Sequence, residues 1–178
     1  TFTNIKKVLK NDGFLVFEIG YFKDVLDTGC FDTTYHEHLD YHHAAPLSNH
    51  LNKIGFQLVS LETNKVQGGS LRVLAKKTKK IIVSKEVTYF LKNEKESILY
   101  DDILLKEWKK KILYNSKKIF DLIINENKLN TLCFGFGAPT KSVLLLKMLK
   151  LNDTHIDFIV EDNLYKINKY LPKIKIPI

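Results

Sequence analysis

Residues 131–151, TLCFGFGAPTKSVLLLKMLKL, join a short apolar run, a turn containing Gly135 and Gly137, and a stretch whose apolar residues recur at helical spacing. HIDFIVEDN follows as a second short apolar run. A strand, a tight glycine turn, a helix and another strand in that order constrain the chain more than any other feature, because such a unit belongs to an α/β layer structure.

The N-terminal half follows the same logic. FTNIKKVL places Ile5, Val8 and Leu9 on one helical face and stops at KNDG, where Gly13 is expected to take a left-handed turn. FLVFEI then reads as a continuously apolar, buried strand with Glu18 at its end, followed by Gly20 and Tyr21. After a histidine-rich loop, PLSNHLNKIG has Pro46 at a helix start, Leu47, Leu51 and Ile54 on one face, and Gly55 as the stop. FQLVSLETN and SLRVLAKK form two strands around the turn KVQGG, a hairpin. From about 82 to 129 the chain turns rich in Lys and Glu at helical spacing, with an apolar stripe of Leu104, Trp108, Ile112, Ile119 and Ile123. The expected organisation is thus residues 1–80, a helical connector over 81–130, and the start of another α/β unit over 131–178.

Composition excludes several classes. With 44% apolar residues the chain can bury an ordinary core. Its apolar runs are far shorter than the ~20 residues of a membrane-spanning helix, so no membrane partner is expected. The net charge is +8, but every basic residue except Arg72 is a lysine, spread along the chain without a stacking or zinc-finger motif. No nucleic-acid partner is expected either, although a positive field favours a phosphate-bearing small substrate. Cys30 and Cys133 are too far apart for a short-spacing redox or zinc motif, which fits a reducing, cytoplasmic setting. Thr1 falls inside a helix-like pattern, so the lack of a leader carries no information.

Three stretches carry chemistry. FDTTYHEHLDYHH, residues 31–43, gathers four of the six histidines with Glu37 and two tyrosines. The spacing is not His-Glu-x-x-His, and in an extended segment His36 and His38 would face away from Glu37, so no metal is expected. A proton-transfer site needs a base that titrates near neutrality, a group to orient it and a hydroxyl donor, and His, Glu and Tyr fill those posts. The residues alone leave this open against a plain loop whose histidines cap and pack. In QGGSLRV, Gly68 and Gly69 allow close approach of backbone to a ligand, while Ser70 and Arg72 can meet phosphate or sugar oxygens; the competing reading is a hairpin turn with one strand arginine. GFGAPTKS looks like a phosphate loop, with Gly135, Gly137 and Lys141 facing an anion, but it is neither GxGxxG nor a Walker loop, and a tight packed turn explains it as well.

The ordered series GFLVFEIGY, FDTTYHEHLDYHHAAPL, LNKIGFQLVSLETNKVQGGSLRV, GFGAPTKSVLL and YLPKIKIPI resembles the sugar C-methyltransferase family, whose members use S-adenosylmethionine to methylate C3 of nucleotide-linked 4-keto-deoxysugars. The resemblance implies that residues 1–80 are the second half of a Rossmann-like methyltransferase domain. It implies that residues 131–178 begin a second Rossmann-like α/β domain that contacts the nucleotide sugar. The Gly-rich donor loop and an N-terminal zinc-binding domain would lie before residue 1, so the chain alone is expected to be inactive, and zinc is expected only there.

By matching the family's Tyr-x-Glu-His pattern, His38 becomes the general base, Glu37 its orienting partner and Tyr35 the group beside the keto oxygen. His36 is supporting. The resemblance also makes Tyr21, Gly69, Ser70, Arg72, Gly135, Gly137 and Lys141 substrate contacts, and puts Glu18 at the pocket edge toward the donor. The sequence departs from the family at Gly20, where proline is commoner, and at His42 and His43. Two alternatives stand beside this one: a nucleotide-sugar binding module without methyl transfer, and a nicotinamide-dependent oxidoreductase using the Gly135 loop with Asp157 or Glu161 on a ribose. Monomer and dimer are equally compatible with the sequence.

Overall fold

Helices and strands follow one another much as the hydrophobic periodicities predict. The computed structural model describes residues 1–178, the side chain of Gln67 excepted. It divides into two units, one of residues Thr1–Phe31 and His38–Lys106, the other of Asp32–Glu37 and Glu107–Ile178. The architecture is mixed α/β.

In the first unit, helix α1 (Phe2–Val8) leads into strand β1 (Phe14–Gly20), then α2 (Phe22–Thr28), α3 (Ala44–Lys53), β2 (Phe56–Asn64), β3 (Ser70–Lys77) and α4 (Lys85–Lys95). The sheet order is β1-β3-β2, with β3 antiparallel to both neighbours. β1 and β2 therefore run in the same direction, joined by a crossover through α2 and α3, and β3 returns between them. A core of Tyr21, Leu47, Leu51, Phe56, Leu71 and Val73 lies under the helices. Phe2 of α1 rests on Phe17 with ring centroids 5.1 Å apart. Lys77 Nζ donates to the carbonyls of Lys6 (2.7 Å) and Leu9 (2.5 Å), satisfying groups that the end of α1 leaves without partners.

Three expectations change here. The left-handed residue after α1 is Asp12 (φ 59°), not Gly13. Gly13 is needed for space instead, since a Cβ there would lie 2.9 Å from Leu9 Cγ and from the Lys10 carbonyl oxygen. β1 is not a buried strand: it lies at the sheet edge and alternates between half-buried and exposed positions, with Phe14 55% and Val16 62% exposed. Its face carrying Leu15, Phe17 and Ile19 packs on the core, and the opposite face lies open. Helix α2 is an element the sequence reading passed over; it buries Val25 and Leu26 and ends at Gly29 in the left-handed region (φ 73°). Gly55 (φ 88°) does stop α3, and the hairpin pairs Asn64 with Ser70 as its turn requires.

In the second unit, strands β4 (Phe134–Phe136) and β5 (Phe158–Val160) pair in parallel on either side of helix α6 (Ser142–Met148). Ile156, Ile159, Leu171, Ile174 and Ile176 form their core, with Ile123 packed against it. The Lys-rich stretch is broken into α4, a single helical turn at Ile98–Tyr100, and α5 (Asp102–Lys128), within which the division between units falls. Trp108 and Ile112 lie on the half-buried line of α5, whereas Leu104 and Ile119 are 43% and 44% exposed, off the stripe expected for them.

Candidate active site

The histidine-rich loop opens with one helical turn, Phe31–Thr33, and bends tightly through residues 35–37. It is not extended there, so its side chains do not alternate. Tyr35 is half-buried and its hydroxyl donates to Glu37 Oε2 at 3.1 Å. His36 meets the Tyr35 ring edge-on, centroids 5.9 Å apart. Burial raises the Tyr35 phenol above its usual range, the bond to Glu37 raises it further, and the charge of Lys141 acts in the opposite direction. Lys141 Nζ lies 2.5 Å from Asp32 Oδ2. Two stretches that are remote in sequence, the Tyr35 turn and the segment after the Gly135 loop, thus meet within one unit. The division between units falls between Glu37 and His38; His38 is exposed and leads into exposed Leu39, Asp40 and Tyr41.

Glu18, Ser70 and Arg72 come together across β1 and β3, as the register Glu18↔Arg72 and Gly20↔Ser70 demands. Ser70 Oγ donates to Glu18 Oε1 at 2.6 Å, and Asn64 Nδ2 donates to the same oxygen at 3.0 Å. Arg72 donates to Glu18 Oε2 at 3.2 Å and lies 3.7 Å from Glu62 of β2. The Ser70 bond, then the Asn64 bond, and lastly the nearby guanidinium hold the Glu18 carboxyl below its ordinary value, against a smaller opposing effect of burial. The Glu18 side chain is 36% exposed, and Oε2 has acceptor capacity left for one further hydroxyl.

The paired glycines make a different close approach from the one expected. Gly69 sits at φ 128°, and a Cβ there would lie 2.1 Å from Asp24 Cβ on α2. At Gly68 an added Cβ would lie 3.4 Å from Cys30 Cβ and Sγ. Gly69 therefore brings its strand against α2 rather than against a ligand. Tyr21 is also not on the surface: it is 2% exposed, and its hydroxyl donates to buried Glu94.

The Gly135 loop is already filled by the protein. At Gly135 an added Cβ would lie 3.1 Å from Ile159 Cγ1, while Gly137 takes the left-handed conformation (φ 80°). The Gly137 amide donates to the Val160 carbonyl, and the Ala138 amide donates to Glu161 Oε2 at 2.8 Å. Bonds from the Ala138 and Asn163 amides, with lesser help from Lys166, bring the Glu161 carboxyl down to about 2. The amides at 137 and 138 are thus spent on the protein's own acceptors. Asp157, the other acid considered for a ribose, accepts from the Cys133 amide at 2.9 Å. Lys141, in the same stretch, keeps its side chain 44% exposed.

Sequence reasoning missed Glu94. It is 1% exposed on the face of α4 that also carries Val87, Phe90 and Leu91. An acid at an apolar-stripe position was the available signal.

Among the described residues, no three or more His, Cys, Asp or Glu side chains gather closely enough to hold a metal ion. No helix among them is long and apolar enough to cross a membrane. Residues 65–178 match the family described as C-methyltransferase C-terminal domain. Over 175 residues, 98% of this chain, the sequence is 27% identical to C-methyltransferase NovU of Streptomyces niveus, and it covers 42% of that protein. The chain spans less than half the length of this relative.

Proposed function

The chain belongs to the C-methyltransferase family, and from that premise we propose that the protein containing it transfers a methyl group from S-adenosylmethionine to C3 of a nucleotide-linked 4-keto-deoxysugar. The observation that carries the reading is the 3.1 Å bond from Tyr35 to Glu37 in the turn directly before His38. It supports a phenol and a carboxylate held together in the turn that His38 follows in sequence.

A proton on a carbon beside a ketone is acidic because the resulting carbanion delocalises onto oxygen. In this reading the His38 imidazole removes the C3 proton, and the C–H electron pair moves into the C3–C4 bond as the C4 carbonyl becomes an enolate. Tyr35 turns its hydroxyl from Glu37 to that oxygen, and Glu37 orients the imidazole. A positioned base contributes ~10²–10⁴-fold and one oxyanion donor ~10²–10³-fold. The donor supplies an electrophilic methyl on sulfur. Glu18, with one acceptor position left on Oε2, suits a hydroxyl of that donor. Ser70, Arg72 and Lys141 suit the oxygens of the sugar or its diphosphate.

The sheet order supports the domain reading. Two strands in one direction with a third returning between them suit the closing end of a Rossmann-like sheet whose earlier strands would add beside β1. In the full-length protein, His38→Ala is expected to abolish exchange of the C3 proton with solvent while donor binding survives. Exchange at the wild-type rate would remove His38 from the role of base.

A further inference from the structure

Glu94 is the most deeply buried acid that the proposed mechanism leaves without a task. Both of its oxygens are used. Oε2 accepts from the Tyr21 hydroxyl at 2.9 Å and from the Ala44 amide at 2.6 Å. Oε1 accepts from the Ala45 amide at 2.8 Å and lies 3.4 Å from His43 Nδ1. The His43 ring in turn sits 3.1 Å from the Tyr100 hydroxyl, edge-on to that ring. A carboxylate is costly to bury unless its oxygens find donors, and here the donors come from the end of β1 and the start of α3, with the turn after α4 touching only His43.

The placement of those donors is specific. Ala44 and Ala45 open α3, and His43 before them provides no side-chain cap. The amides at a helix start lack intrahelical partners, and Glu94 supplies from α4 what the local sequence omits. His43 also ends the loop that carries His38. One residue earlier, the His42 carbonyl accepts from the Phe22 amide at 2.9 Å, beside Tyr21. The chain is therefore pinned at residues 42–45 from both sides, only a few residues after the exposed His38.

We infer that Glu94 is a positioning residue for the proposed proton transfer: it fixes the exit of the histidine-rich loop by clamping His43, Ala44 and Ala45 to Tyr21, and so sets where His38 stands. The inference rests on the reading of His38 as base. Such a clamp matters for rate because a displacement of about 1 Å in a reacting group costs on the order of 10²-fold.

The test uses the full-length protein and Glu94→Gln, which keeps size and one acceptor but presents an amide N–H toward the α3 amides or Tyr21. Hydrogen exchange read by mass spectrometry is expected to speed up about tenfold or more in residues 38–45 while β2 and β3 keep their protection. In the same sample the C3 proton exchange rate should fall about 10–100-fold with donor affinity unchanged. Unchanged loop exchange, or a loss of protection spread evenly through the sheet, would overturn the clamp. A loosened loop with full proton-exchange rate would make Glu94 a structural cap only and overturn its positioning role. If the wild type itself exchanges no C3 proton, the reading of His38 fails, and the hydrogen-exchange pattern still decides whether Glu94 holds the loop.

Discussion

Arg72 reaches across from β3 to Glu18 on β1, its Nη2 3.2 Å from Oε2, and the same guanidinium lies 3.7 Å from Glu62 on β2. One side chain thus spans all three strands at one level of the sheet. Its 53% exposure leaves it accessible to a ligand as well. Exposed ion pairs contribute only ~0.2–1 kcal/mol, so Arg72→Met should change the unfolding midpoint little. Its cost should fall on the substrate: a rise in KM of about tenfold with kcat nearly unaltered, as expected for one lost charge-assisted contact. Steady-state kinetics on the full-length protein decides this, and an unaltered KM would return Arg72 to a purely structural part.

Lys141 is engaged with Asp32, so a substrate phosphate has to compete for it. Asp32→Asn should therefore tighten substrate binding by a few-fold, and Lys141→Met should weaken it about tenfold. Titration with the free nucleoside diphosphate measures both. Weaker binding in Asp32→Asn would mean that the pair holds the Tyr35 turn in shape rather than restraining Lys141.

Two glycines should respond in opposite ways to alanine. At Gly69 φ is positive (128°) and an added Cβ would lie 2.1 Å from Asp24 Cβ, so Gly69→Ala should destabilise by more than ~1 kcal/mol. At Gly20 φ is not positive and a Cβ would meet nothing within 4 Å. Gly20→Ala should be neutral or stabilise by up to ~1 kcal/mol through the entropy of the unfolded chain. Urea denaturation of the two variants beside the parent checks the contrast.

Glu161 gives a pH dependence with a definite sign. Its folded pKa of about 2 lies below its ordinary 4.5, so the carboxylate binds fewer protons folded than unfolded between those values. Its stabilising contribution is complete above pH 4.5 and is lost as pH falls toward about 2. Glu161→Gln should flatten the acid limb of a melting-temperature profile in that window and leave the slope above pH 5, roughly, unchanged. An identical acid limb in both proteins would show that the bonds to Ala138 and Asn163 do not survive in solution.

What could be seen in the sequence was whatever neighbouring residues decide among themselves. The β2–β3 hairpin, the end of α3 at Gly55 and the β4-α6-β5 unit each follow from local periodicity and turn chemistry, and each is present. Glu18, Ser70 and Arg72 were each picked out for their chemistry, and strand register alone brings them together. Features set by distant partners were not visible. Nothing near Gly69 announces that Asp24 will press against it, and nothing near Glu94 announces the amides of Ala44 and Ala45. The openness of β1 was hidden for a related reason, since an apolar run looks the same whether both of its faces are covered or one is bare.

That bare face has a practical bearing. A strand with unsatisfied backbone donors and acceptors along one side, studded with Phe14 and Val16, is a template on which another copy can lay its own strand. Produced by itself at high concentration, the polypeptide should stick to its own kind, and a lysine at position 16 should keep it dispersed.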